Sequence, residues 1–255
     1  MITGVILAKN EEKNIKRAIN SLSFCNEIIV IDDYSTDRTA DVARAYGAKV
    51  YKRRLEGDFA AQRNFGLAKA KNKWVFFLDA DEEVSEALAS EIFSFNDEVG
   101  SSAPFSILKR YDGFFAKRRD LFLGKNLRGG ESGNIKLLRL GRKNRGKWKR
   151  RVHEYWDIKG KVGRLKNPIL HYSHDGVAQF IDQINSFSLI HAGQNAKLGK
   201  HATLFKVIFF PIFKFINNFI FRQGFRDGTH GFVAAMMMSF HSFLSWAGLY
   251  EEKNK

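Results

Sequence analysis

Four apolar runs alternate with three helix-patterned stretches across the first 81 residues, and no other feature constrains the fold as tightly. TGVILA (3–8), EIIVIDD (27–33), KVYKR (49–53) and WVFFLDAD (74–81) read as strands. The second is a continuous apolar run of the sort buried on both faces of a parallel sheet. Between the first two, Ile15, Ala18, Ile19 and Leu22 fall at helical spacing within residues 11–23. Ser35-Thr36-Asp37 supplies a helix N-cap, and Gly47 closes that helix after Tyr46. FAAQRNFGLAKA (59–70) supplies the third helix. This order implies an α/β domain on a mostly parallel sheet with right-handed crossovers. Ligands of such sheets sit beyond the carboxyl ends of the strands.

Three acidic clusters fall at those ends: Glu11/Glu12, Asp32/Asp33 and Asp79/Asp81. In an extended segment residues i and i+2 point the same way, so Asp79 and Asp81 present two carboxylates together, with the small Ala80 between them. Paired oxygen ligands suit Mg²⁺ or Mn²⁺, which keep waters and accept substrate phosphates. Glu82 and Glu83 read differently, as the acidic start of the next helix. A carboxylate such as Asp32 or Asp33 at a strand end can accept hydrogen bonds from a base N–H or a ribose hydroxyl. Arg63, early in the third helix, could meet a diphosphate through paired hydrogen bonds, although an exposed helix arginine is the ordinary role. No G-x-G-x-x-G follows the first strand and no G-x-x-x-x-G-K-[ST] is present, so those two nucleotide motifs are excluded.

Charge is localised. The net charge is +15, yet residues 1–108 carry 14 Lys and Arg against 17 Asp and Glu. Residues 109–166 carry 20 against 5, a surplus equal to that of the whole chain. A basic module for nucleic acid would show recognition aromatics or a reading helix, and neither is visible. One cysteine, Cys25, rules out an internal disulfide and suits a reducing compartment. The opening MITGVILAKNEEK reads as a first strand, not a signal peptide, which favours the cytoplasm.

The runs VILAKNEEKNI, IIVIDDYSTDRT and AAQRNFGLAKAKNKWVFFLDADEEV together resemble the family 2 glycosyltransferases with a GT-A type nucleotide-sugar-binding fold. The resemblance covers about the first 95 residues of the chain. It implies that Asn10, Glu11 and Asp32 or Asp33 lie near the nucleotide base and ribose, and that Asp79 and Asp81 meet a divalent metal (Mn²⁺ or Mg²⁺) and the diphosphate. Ala8, Arg63 and Ala80 are further candidate nucleotide-sugar-binding residues. Tyr34 stands where the family's usual VDDGSTD has glycine. FIFRQGFRDGTHGF (219–232) and RVHEYW (151–156) look like the small lipopolysaccharide inner-core glucosyltransferases. That likeness implies a UDP-sugar donor, glucose in particular, and a heptose of a lipid-linked core oligosaccharide as acceptor.

Inversion at a sugar carbon needs a base for the acceptor hydroxyl. By resemblance Glu154 would be that base, although it could equally pair with the arginines around it. His171 could be a third metal ligand beside Asp79 and Asp81, or a structural histidine. The apolar stretch 202–221 is interrupted by Lys206, Pro211, Lys214, Asn217 and Asn218, with its lysines and asparagines on one third of a helical wheel. That pattern suits an amphipathic helix lying in an anionic membrane interface, or a core helix. The expected organisation is a transferase domain over 1–195, with a nucleotide-sugar half (1–98) and an acceptor half (99–195), then a membrane-associating helical region over 196–255. The competing readings are a transferase for another lipid-linked or capsular glycan, and a nucleic-acid-binding or anionic-polymer-binding protein.

Overall fold

The computed structural model describes residues 1–97, 107–151, 153–174 and 176–253, and the expected division at 98/99 lies outside the described residues. The chain forms two compact units, Met1–Arg118 with Lys136–His171, and Arg119–Ile135 with Tyr172–Lys255.

The first unit begins with β1 (Ile2–Ala8), α1 (Ile15–Ser21), β2 (Glu27–Asp32), α2 (Thr39–Ala45), β3 (Lys49–Lys52), α3 (Phe59–Lys69) and β4 (Trp74–Asp79). This is the alternation that the hydrophobic pattern implies. β1 pairs in parallel with β2 and β4, and β2 with β3. Side-chain parity then divides the core. Ile2, Ile6, Val30, Phe76 and Leu78 face α1 on one side, while Val5, Ile29, Ile31, Val75 and Phe77 face α3 on the other. Both faces are covered, which is why these strands read as continuous apolar runs. Helix α3 comes so close that a Cβ on Gly66 would stand 2.5 Å from a Val5 methyl.

Two local expectations change. Helix α2 starts at Thr39, where Asp37 Oδ1 accepts from Thr39 N at 2.9 Å and its Oδ2 from Glu12 N at 3.1 Å. Ser35 Oγ is turned to Asn10 N at 2.9 Å and does not cap the helix. Glu82 and Glu83 do not begin a helix. They form a short strand, β5 (Glu82–Val84), before α4 (Glu86–Asp97).

Beyond α4 come α5 (Ile107–Arg110), β6 (Gly113–Phe122), β7 (Lys125–Asn126), β8 (Lys136–Arg142), β9 (Gly146–Lys149), β10 (Tyr155–Ile158) and β11 (Val162–His174). The main sheet runs β3-β2-β1-β4-β8-β6-β11-β5, and the pairs β4–β8, β8–β6 and β11–β5 are antiparallel. The sheet is therefore mixed, not mostly parallel, since only the first four strands are joined by helical crossovers. β9 and β10 form a separate hairpin.

The second unit holds the β6–β7 turn and the helices α6 (Val177–Lys197), α7 (Leu204–Ile216) and α8 (Thr229–Lys253). Residues 172–195, expected in the acceptor half, belong here because α6 packs on α8 around Ala192 and Leu249. The RQGFRDG stretch holds a loop in place, since buried Asp227 accepts from Arg128 N at 2.9 Å and Gly129 N at 2.8 Å. Lys214 pairs with Glu131, and Asn218 is buried, so those members of the polar stripe of α7 are engaged within the unit. Its apolar side, with Leu204, Phe205, Ile208, Phe209, Ile212 and Phe213, is exposed. Phe232, Met236, Phe240 and Phe243 continue this on α8. Leu204–Phe221 and Thr229–Glu251 are each long and apolar enough to cross a membrane by length and composition, and only 11% and 17% of them is buried.

Glu27 ties the edge of the first unit together. It accepts from Lys49 Nζ at 2.8 Å, Lys71 N at 3.0 Å and Thr3 Oγ at 3.0 Å. Burial opposes its charge, but these three donors hold its carboxyl below the usual range. Glu27→Gln is expected to lower stability at pH 7 by about 1–2 kcal/mol in urea denaturation. Because the folded pKa is depressed, the stabilisation is complete above the unfolded glutamate value of about 4.3 and is lost as pH falls through the folded value. The variant should show a shallower loss across that acid window.

Candidate active site

The register sets out the site. Ala8 lies opposite Asp32, and Leu7 opposite Asp79, so the carboxyl ends of β1, β2 and β4 form one row. The loops after β1 and β2 are laced together. Asn10 Oδ1 accepts from Thr36 N at 2.8 Å, and Glu11 N donates to Thr39 Oγ at 2.7 Å. Asp32 is fully buried and accepts from Ser35 N at 3.2 Å. Asp33 accepts from Lys9 Nζ at 2.8 Å and Leu55 N at 2.9 Å. The expected nucleotide residues thus stand together, and Asp32 is a loop-building carboxylate. Tyr34 holds φ 50°, a left-handed conformation that its side chain disfavours. Its exposed ring lies 4.6 Å from the guanidinium of Arg54.

At the end of β4 five charged side chains form a ladder. Glu82 Oε1 accepts from Arg139 Nη2 at 2.7 Å, and the same nitrogen donates to Asp79 Oδ2 at 2.8 Å. Arg63 Nη2 donates to Asp79 Oδ1 at 2.9 Å, while Arg63 Nε donates to Glu154 Oε1 at 2.9 Å. Glu82 Oε2 turns back to accept from Asp79 N at 3.0 Å. The order is Glu82–Arg139–Asp79–Arg63–Glu154, two cations between three anions. Arg63, Arg139 and Glu82 are 4%, 2% and 0% exposed, so little water screens the contacts.

Burial acts against the charge on Asp79, but Arg139 and Arg63 outweigh it and hold the carboxyl well below the usual range. Burial raises the Glu82 pKa against the pull of Arg139, and the Arg139 guanidinium, opposed by burial, is held charged by Asp79 and Glu82. Arg63 is therefore a buried bridge and not an exposed helix arginine. It lies over Trp148, 4.8 Å from the ring centre.

Asp81 stands apart from the ladder. Its Oδ2 lies 3.2 Å from His171 Nε2, brought there by the antiparallel pairing of His171 with Glu82. Burial raises the pKa of Glu11, and the charge of Asp81 raises it further, so these carboxylates repel across the site. Among the described residues no group of three His, Cys, Asp or Glu side chains is placed to hold a metal. Of the expected trio Asp79, Asp81 and His171, the last two lie together, while Asp79 accepts three hydrogen bonds from two guanidinium groups. The oxygen donor of Asp81 and the nitrogen donor of His171 fit Mn²⁺ or Mg²⁺, which complete their coordination with water and phosphate oxygens.

Glu154 is positioned from below by its hairpin. Asn64 on α3 clasps β9 reciprocally: Nδ2 donates to Trp148 O at 2.9 Å, and Trp148 N donates to Oδ1 at 3.0 Å. Trp148 and Trp156 stack at 5.4 Å and both meet Phe77 edge-on. Arg139, Glu82 and Asn64 escaped the sequence reading. The signal for Arg139 was one charge inside the apolar run LLRL, and for Glu82 a third carboxylate where two sufficed.

The model of the family described as Glycosyl transferase family 2 matches residues 4–153. The chain belongs to glycosyltransferase family 2. It is similar to the lipopolysaccharide core biosynthesis glycosyltransferase LpsC of Rhizobium meliloti, with 30% identity over 98% of this chain and 92% of that protein. An uncharacterised glycosyltransferase of Rickettsia typhi is 31% identical over 98% of this chain and 87% of its own length. Among solved structures, S. aureus TarS 1–349 in complex with UDP gives a TM-score of 0.46 at 14% identity, covering 99% of this chain and 91% of that one. Mycobacterium tuberculosis glucosyl-3-phosphoglycerate synthase with Mn²⁺, UDP and glucosyl-3-phosphoglycerate gives 0.36 at 22% identity, covering 48% and 44%. This family 2 enzyme has an α/β first unit and carries helices toward its C-terminal end.

Removing the buried end of the ladder leaves Arg139 short of a partner. Glu82→Ala is expected to cost about 3–5 kcal/mol of stability, measured by chemical denaturation. Glu83→Ala, whose carboxylate is 29% exposed beside Arg17 at 3.8 Å, should cost no more than about 1 kcal/mol.

Proposed function

We propose that this family 2 glycosyltransferase is an inverting, metal-dependent enzyme that moves glucose from UDP-glucose to a heptose of the lipopolysaccharide inner core. The observation that carries this is the near full-length match to a relative named for lipopolysaccharide core biosynthesis. The acidic strand ends support it, since a nucleotide sugar needs ribose acceptors and a place for a diphosphate. Asn10, Glu11 and Asp33 face the nucleoside, with Ala8 and Ala80 giving the small surface beside them.

Asp81 and His171 hold the divalent cation, which supplies neutralisation of negative charge on the departing diphosphate. Glu154 takes the acceptor hydroxyl proton as that oxygen bonds to the anomeric carbon and the bond from that carbon to UDP breaks. The pairing of Glu154 with Arg63 fixes the carboxylate, leaving Oε2 as the oxygen that receives the proton. Asp81→Asn should raise the Mn²⁺ concentration needed for UDP release, and Glu154→Gln should lower kcat by about 10²–10⁴-fold with the donor KM little changed. Full activity in either variant would remove that residue from its role. The acceptor is tested by mass spectrometry of lipopolysaccharide from cells lacking the gene. Loss of one inner-core hexose is expected, and an unaltered core would rule the acceptor out.

The exposed faces of α7 and α8 support a peripheral position on the inner face of the cytoplasmic membrane, where a lipid-linked acceptor is met. Aromatic and aliphatic side chains there suit the boundary between headgroups and acyl chains. Binding to anionic vesicles in a flotation assay should fall sharply in Phe209→Asp/Ile212→Asp and stay unchanged in Glu154→Gln. Equal flotation of the double variant would exclude this face.

A further inference from the structure

We infer that Asp79 is a positioning residue and not a metal ligand, and that through Arg63 it sets the place of Glu154 relative to the strand ends. This rests on the proposed roles of Asp81 and Glu154 and deepens them.

The two carboxylates of the D-x-D stretch have unlike surroundings. Both oxygens of Asp79 are taken up, Oδ1 by Arg63 at 2.9 Å and Oδ2 by Arg139 at 2.8 Å. Among the described residues Asp81 has no guanidinium partner, and it faces His171. A cation binding Asp79 would have to approach between two buried guanidinium groups, where it meets like charge at short range. The same carboxylate is well placed to orient Arg63. A guanidinium fork is planar and rigid, so fixing Nη2 on Asp79 fixes where Nε points. Nε points at Glu154.

The rest of the ladder prevents Asp79 from turning away. Glu82 reaches it twice, through Arg139 and by accepting from the Asp79 backbone N–H. Glu154 lies just before β10, beside a turn whose residues Arg150 and His153 hold positive φ. A carboxylate on such a turn needs an anchor, and Arg63 of α3 supplies one. Misplacement of a catalytic group by about 1 Å can cost about 10²-fold in rate. The ladder is the part of the fold that prevents it.

The test uses the full-length enzyme and two readouts: binding of Mn²⁺ with UDP, followed by the electron paramagnetic resonance signal of free Mn²⁺, and steady-state kinetics. Asp79→Asn should lower kcat by about 10²-fold and leave Mn²⁺ affinity within about threefold, a shift smaller than the ~10-fold that even an outer-shell partner is worth. Asp81→Asn should weaken Mn²⁺ binding by more than about tenfold. Arg63→Lys, which keeps the charge but loses the fork, should reproduce the kcat loss. In the double variant Asp79→Asn/Arg63→Lys the loss should be no greater than in either single one, because the two act as a unit. Should Asp79→Asn fail to fold, Arg63→Lys carries the same comparison of kcat against Mn²⁺ affinity. Weakened Mn²⁺ binding in Asp79→Asn equal to that in Asp81→Asn would overturn the inference, as would additive losses in the double variant. If the parent enzyme binds no Mn²⁺ with UDP, the metal reading fails, and the kinetic cycle still decides the ladder.

Discussion

Two buried guanidinium groups gripping one carboxylate is the interaction on which the site depends. Asp79 ends a strand whose other residues lie in the apolar core, and burial alone would push its proton affinity up. Arg63 and Arg139 reverse that, and each brings a distant part of the chain with it. Arg63 comes from α3 and carries Glu154; Arg139 comes from β8 and carries Glu82. A solvated pair of surface charges would do neither, since exposed ion pairs contribute little and hold nothing in place. Buried ones hold geometry because breaking them leaves an uncompensated charge.

The mixed sheet makes this possible. The strands from the basic middle segment join the sheet without helical crossovers, so they run antiparallel to β4 and to each other. The antiparallel pairing of β4 with β8 places β8 directly beside the parallel strands β1–β4. The pairing of β11 with β5 brings His171 beside Glu82, and so within 3.2 Å of Asp81. Part of the basic surplus of residues 109–166 is thereby spent inside the fold, with Arg139 in the ladder and Arg142 paired with Asp112. The positive charge is partly internal counter-charge.

The C-terminal helices show a similar reversal. Their polar stripe was legible, but the direction it faces was not. Lys214 and Asn218 turn toward Glu131 and the glycine-rich loop 128–134, and Phe205, Phe209 and Phe213 turn out. A helical wheel reports that two faces differ. Which of them meets the rest of the protein depends on what the neighbouring loop offers.

The sequence alone determined the first four strands, their parallel order and the row of carboxylates at their ends, because periodicity and strand length are local properties of the chain. It also pointed to the residues of the site, since acidic strand ends are visible without any contact map. Only the tertiary structure decided how those residues divide their work. Asp79 and Asp81 are equivalent in an extended segment and become different only when Arg63 and Arg139 arrive from 16 and 60 residues away. Glu82, read locally as the first residue of a helix, becomes a buried anchor for the same reason. Charge pairing between distant segments leaves no periodic trace, so a single sequence cannot show it.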